Sequence, residues 1–204
     1  MSILRFFSGS RPVPAGEGVG EVVAEADREM FKKLPDRFRE RLSNFYEEKF
    51  TFNFVMDFDV LFNPLLEGTE FGSIEAAFQA GKFLLAASMC QDPVRHQLLM
   101  DAVNKFTLNS GHPIGQGGGL MARKNRKLVA LAKPEIHAWR AVSDEVMEAI
   151  SEAAFTQCDG RKEVLLNTGN AILEHIRPRM TPVRFHHLES IRARLRGSKR
   201  ARLA

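Results

Sequence analysis

The sequence predicts a mainly α-helical protein with a few short β-strands, an α+β fold in a single domain. Three stretches carry that expectation. Residues 73 to 87 are rich in Ala and Leu behind Ser73, a natural N-cap, and read as a helix that is apolar on nearly every side. Residues 134 to 155 repeat apolar side chains at Trp139, Val142, Val146, Ile150 and Ala154, the interval of one helical stripe, which makes Trp139 a core residue on periodicity. Between residues 43 and 72, Phe45, Phe50, Phe52, Phe54, Phe58, Phe62 and Phe71 crowd among turn residues such as Asn63, Pro64 and Gly68, which suits short strands with aromatic packing.

The remaining elements follow in chain order. Ile3 to Phe7 reads as a short strand, and the Gly- and Pro-rich residues 9 to 20 read as a loop whose glycine spacing matches no dinucleotide fingerprint. Val22, Val23, Ala26, Met30 and Leu34 recur at helical intervals until Pro35, which predicts a helix from Glu21 to Leu34 that resumes over Asp36 to Leu42. Arg37, Arg39, Glu40 and Arg41 read most simply as a solvated face there. Asp92-Pro93 is an N-cap followed by proline in the first helical position, so Val94 to Phe106 should be helical.

Asn109 to Gly119, with six residues of Gly or Pro, reads as a flexible or tightly turned loop. It leads to Arg123, Lys124, Arg126 and Lys127, and glycine amides beside such cations suit phosphate oxygens, although a plain surface loop is the simpler reading. Lys162 to Leu166 is helical and is followed by Ala171 to Ile176, where Glu174 lies among apolar residues. Pro178 and Pro182 then precede a last amphipathic helix carrying Val183, Leu188, Ile191 and Leu195. His186 and His187 are adjacent, so on a helix they diverge and do not form a metal-ligand pair.

Composition bounds the function. At 204 residues, 44% hydrophobic and 26% charged, the chain is an ordinary globular one with room for a single core. No apolar run approaches the roughly 20 residues of a membrane helix, and the start lacks the apolar region of a secretory signal, so an intracellular, cytoplasmic location without membrane contact is expected. Cys90 and Cys158 are far apart and outside any Cys/His metal pattern, which predicts packed, reduced thiols and no metal. The formal charge of +4 would suit a polyanion. Much of the excess is local to Arg192, Arg194, Arg196, Lys199, Arg200 and Arg202, a basic C-terminal segment suited to nucleic-acid or assembly contacts.

The central stretch holds the chemistry. Glu75, Gln79 and Lys82 are spaced by four and three residues, so they stack as one polar stripe on an otherwise apolar rod. A helix with those proportions should be buried on most sides, and buried charged groups must be paired or line a site. Spacing alone leaves two readings open, a structural Glu75–Lys82 pair and a reactive site.

Four ordered motifs resemble the NADAR superfamily. They are Leu42-Ser43-Asn44-Phe45-Tyr46; Ser73-Ile74-Glu75-Ala76-Ala77-Phe78-Gln79-Ala80-Gly81-Lys82-Phe83; Trp139 with Asp144, Val146 and Met147; and Leu165-Leu166-Asn167-Thr168-Gly169 followed by Leu173-Glu174. The resemblance implies one NADAR-like domain over residues 1 to 196, with an insertion at 9 to 41 and a basic tail at 197 to 204. It also implies an N-glycosidase without metal or cofactor that splits the N-glycosidic bond of a ribosyl or ADP-ribosyl substrate, such as ADP-ribosylated guanine in nucleic acid or a ribosylamino-pyrimidine phosphate.

On that resemblance Glu75 would be the catalytic carboxylate. Asn44, Phe45, Gln79, Lys82, Arg123, Trp139 and Glu174 would bind substrate: Asn44 at ribose hydroxyls, Arg123 at a phosphate, Trp139 against a base. The chain departs from the family pattern at residues 175 to 187, which hold no Asp, Trp, Gly or Asn, and at Ala76 and Ala122, where the family carries His and Gly. Those departures give the alternative expectation of a catalytically degenerate NADAR fold serving as a structural or binding subunit of a larger assembly.

Overall fold

A computed structural model describes residues 1–54, 68–176 and 180–201, the side chains of 198–201 excepted. Phe58, Phe62, Asn63, Pro64, Pro178 and Arg202, and the side chains of Lys199 and Arg200, lie outside the described residues. The structure is 54% helical with a few short strands, so the expected class holds. In chain order come β1 (Ile3–Phe6), a 3-10 turn (Glu25–Asp27), α1 (Arg28–Phe31), α2 (Phe38–Leu42), β2 (Phe50–Thr51), β3 (Glu70–Phe71) and α3 (Ile74–Ser88). There follow α4 (Pro93–Lys105), α5 (Pro113–Gln116), α6 (Gly118–Lys124), α7 (Lys133–Gln157), α8 (Asp159–Asn167), β4 (Ile172–His175), β5 (Val183–Arg184) and α9 (His186–Ala201). These elements form two compact units, Met1–Tyr46 with Phe155–Ala204, and Glu47–Ala154.

In the first unit, β1 pairs in parallel with β4, and β4 pairs antiparallel with β5. The register sets Leu4 beside Leu173 and Arg5 beside Glu174, so one face of the strand pair buries its leucines completely while the other brings opposite charges together. Phe31, Phe38, Leu42, Val164, Leu165, Leu188 and Ile191 complete this core. Gly169 ends α8 with φ +58, a left-handed conformation, and a Cβ there would collide with Met30.

Three sequence expectations need correction in this unit. The helix expected over Glu21 to Leu34 is confined to Glu25–Phe31, because Val22 makes a β-bridge to Ile3, with both backbone hydrogen bonds formed, instead of a helical turn. Arg39 is not on a solvated face. It is 2% exposed, its Nε donates to Glu21 Oε1 at 2.8 Å, and its guanidinium also bonds the carbonyls of Val13 and Pro14. Val183 belongs to β5, not to the last helix, which starts at His186.

In the second unit, α3 packs against α4 and α6, and β2 pairs antiparallel with β3. Phe71 meets Phe50 at 6.3 Å and Phe54 at 5.9 Å, which is the aromatic packing expected of the strands. Asp92 caps α4 as expected, accepting from the Val94 amide at 2.9 Å. The loop expected over 109 to 119 instead contains α5 and the first residues of α6. There the His112 side chain caps α5 and Pro113 opens it, so a Gly-rich stretch is given helical turns by its flanks.

Candidate active site

Helix α3 positions the polar stripe. Ser73 is extended (φ −165, ψ 157), and its Oγ accepts the Ala76 amide at 3.1 Å, which starts the helix one residue before Glu75. Gly81 lets the Phe54 ring lie against the helix, since a Cβ at that position would be 2.7 Å from Phe54 Cε1. Phe83 stacks on Phe106 of the segment after α4, with centroids 5.8 Å apart. Between Ile74 and Ala87 only Phe78 and Lys82 are partly exposed, and both lie on the stripe. The expected burial of this helix on most sides therefore holds, and the stripe is the side that reaches solvent.

The three polar side chains form a chain of hydrogen bonds. Gln79 Nε2 donates to Glu75 Oε1 at 2.8 Å, and Gln79 Oε1 accepts from Lys82 Nζ at 2.6 Å. Lys82 also donates to the backbone carbonyl of Arg126, and its ammonium sits 4.5 Å over the Phe83 ring centroid. An amide thus stands between carboxylate and ammonium, in place of the direct pair that spacing alone allowed. Helix α6 adds Arg123, whose Nη1 lies 3.6 Å from Glu75 Oε1, a charge contact longer than a hydrogen bond. Both contacts fall on Oε1; among the described residues Oε2 has no hydrogen-bond partner.

The electrostatics of the pair are opposite in sign. Glu75 is 4% exposed, and burial raises its pKa in spite of the Gln79 hydrogen bond and the nearby Arg123 and Lys82 charges. Burial pushes the Lys82 ammonium down to about 8; Glu75 opposes that fall while Arg123 and Arg126 add to it. A carboxyl shifted up and an amine shifted down are displaced toward each other, the pattern of an acid and base pair set by its surroundings.

An aromatic pair borders the stripe. Trp139 meets Phe78 edge-on, with centroids 4.8 Å apart and planes at 61°. Trp139 is half-buried, so its expected place in the core is corrected: it is a partly open ring beside the polar stripe. Phe78 escaped the sequence reading because an apolar residue in an apolar helix reads as core. The signal that could have found it is its spacing, three residues after Glu75 and four before Lys82.

The other expected site residues belong to the first unit. Asn44 and Phe45 are half-buried in the turn after α2, where the Phe45 amide donates to Ser43 Oγ at 3.2 Å. That turn is held by Arg161, which sequence reasoning missed. Arg161 is wholly buried, donates to the carbonyls of Arg41, Ser43 and Tyr46, and lies under the Tyr46 ring. Its spacing to Val164 and Leu165 on one helical face was the available signal. Glu174 is in an ion pair with Arg5, Nε to Oε2 at 2.8 Å, fixed by the β1–β4 register.

The basic C-terminal segment is corrected in part. Arg192 is 6% exposed and donates to Thr168 Oγ1 at 2.7 Å and the Ala171 carbonyl at 2.9 Å; burial pushes its pKa down to about 10. Arg196 bonds Asn170 Oδ1 at 2.7 Å and the Gly169 carbonyl at 2.7 Å. Arg196 also bonds the Leu166 carbonyl at the C-terminal end of α8, where carbonyls lack helical donors, and Arg192 holds the turn that follows. Arg194 is exposed.

Among the described residues no group of three His, Cys, Asp or Glu side chains could hold a metal ion. No helix among them is long and apolar enough to cross a membrane. No known family model and no curated protein matches the chain.

Proposed function

We propose that the protein is an N-glycosidase of the NADAR type, which hydrolyses the bond between a nitrogen and the anomeric carbon of a ribosyl or ADP-ribosyl substrate. The observation that carries this reading is the Glu75–Gln79–Lys82 chain, with its raised carboxyl and lowered ammonium on the solvent-facing side of an otherwise buried helix. A purely structural stripe would gain nothing from burying two charged groups without a direct pairing between them.

Splitting a ribosyl C–N bond passes through an oxocarbenium-like state. In the reading proposed, the Glu75 carboxylate stabilises that state and takes a proton from the attacking water, whose oxygen bonds the anomeric carbon. Oε1 is oriented by Gln79 and Arg123, which leaves Oε2 for the water. Arg123 is half exposed, with 52% of its side chain accessible, and suits a phosphate oxygen. The Phe78–Trp139 pair offers aromatic surface to a base.

Incubation with an oligonucleotide carrying ADP-ribosylated guanine, and separately with a ribosylamino-pyrimidine phosphate, tests the reading by chromatography of the released base. Release from at least one by the wild type is expected. Release from neither would remove the hydrolase reading.

One observation favours the second reading, a degenerate fold kept for binding or assembly: Glu174, the further carboxylate that the resemblance supplies, is engaged by Arg5. That reading predicts tight binding of ADP-ribose without turnover of either substrate.

A further inference from the structure

We propose that Lys82 is the catalytic acid of this site, the group that gives the departing nitrogen of the base its proton while Glu75 takes one from water. The inference rests on the N-glycosidase reading and adds the half of the reaction that Glu75 cannot perform. When the bond between carbon and nitrogen breaks, its electron pair goes to nitrogen, and a poor leaving group such as a guanine or an aminopyrimidine needs a proton at that moment.

The geometry selects the donor. The charged groups around the stripe are Glu75 and Lys82 on α3, Arg123 on α6 and Arg126 just beyond it. A guanidinium stays protonated at any physiological pH, and the Gln79 amide has no labile proton to give. Lys124 and Lys127 are exposed. Lys82 is half-buried and fixed by two acceptors, Gln79 Oε1 at 2.6 Å and the Arg126 carbonyl. An ammonium has three N–H donors, so one N–H is left without an acceptor among the described residues. Lys82 is also one turn from Phe78, within reach of the edge of a flat base lying on the Phe78–Trp139 pair.

The interposed amide has a purpose in this arrangement. A carboxylate and an ammonium in direct contact stabilise each other's charge, which makes the carboxylate a poorer base and the ammonium a poorer acid. Gln79 spaces them by one hydrogen bond on each side and so weakens that mutual stabilisation. The balance closes: water loses a proton to Glu75 and its oxygen bonds the anomeric carbon, Lys82 loses a proton to the base, and solvent exchange returns the proton from the carboxyl to the amine. The lowered Lys82 pKa of about 8 supports the role, because the acid is mostly charged at pH 7 yet gives up its proton readily.

The test compares two leaving groups in the full chain. An oligonucleotide with ADP-ribosylated guanine needs protonation of the base; a p-nitrophenyl riboside 5-phosphate releases a stable anion that needs none. Lys82→Gln should slow guanine release by about 10²–10⁴-fold, slow p-nitrophenolate release less than about tenfold, and lose the fall in kcat above about pH 8. Lys82→Arg keeps the charge and guards against misfolding, and should behave like Lys82→Gln towards guanine because it cannot give up the proton. Equal loss with both leaving groups, or an unchanged alkaline limb in either variant, would overturn the role of Lys82 and leave the hydrolase reading intact. Failure of the wild type on both would overturn the hydrolase reading and this inference with it.

Discussion

Glu75 is the residue whose protonation decides how the site behaves. Its folded pKa lies above its unfolded value because burial disfavours the anion. The native state therefore holds this proton more tightly, and Glu75 favours the fold fully below the ordinary glutamate range and loses that contribution as pH rises through the raised value. Glu75→Gln keeps an acceptor for Gln79 and removes the buried charge. Its thermal midpoint should gain on the wild type between about pH 4 and pH 8, read from parallel melts at the two ends; a variant that loses ground as pH rises would contradict the raised carboxyl. Lys82 has the opposite sign: its depressed pKa contributes stability present above 10.5 and lost as pH falls through about 8. At neutral pH both residues therefore work against the fold, which suits a site and does not suit a structural pair.

Among the elements, the strand–loop–helix edge formed by β1, residues 9 to 20 and α2 shows the contrast. Glu21 receives amide hydrogen bonds from Arg5, Gly16 and Gly18 as well as Arg39, and all of its side chain is buried. Burial would raise the Glu21 carboxyl, but the Arg39 hydrogen bonds and the Arg5 and Gly16 amides more than offset it, and its pKa is held below the ordinary value. Its stabilising contribution is thus present at neutral pH and lost as pH falls through that lowered value. Arg39→Met leaves the carboxylate buried and half-satisfied, and should cost about 3–5 kcal/mol in urea unfolding at pH 7, less in acid. A loss under about 1 kcal/mol would contradict the pairing.

None of this was legible in the sequence, because Glu21 and Arg39 are joined only when the loop folds back, and a charged residue among other charges reads as surface. The helices α3, α4 and α7 were legible because caps and periodicity are local properties. Within the site, the stripe was legible from spacing. The role of Gln79 as a spacer, the approach of Arg123 from α6 and the opening of Trp139 toward solvent depend on packing between elements that no spacing encodes.

For the whole molecule, the basic composition invites a polyanion, yet Arg192 and Arg196 are committed to holding α8 and the following turn. Arg192→Met should destabilise the chain by about 1–3 kcal/mol, because Thr168 and the Ala171 carbonyl lose a buried donor. The slope of any nucleic-acid affinity against salt should not change in that variant, whereas Arg194→Gln should reduce the slope by about 1 if the segment touches phosphates. A reduced slope for Arg192→Met would reinstate it as a phosphate contact. The central claim concerns α3 and is best tested by one rate ratio, the release of guanine from an ADP-ribosylated oligonucleotide by the wild type and by Glu75→Gln at pH 7. A fall of at least about 10²-fold in a variant that melts no lower than the wild type is predicted; full activity in that variant would show the stripe to be structural.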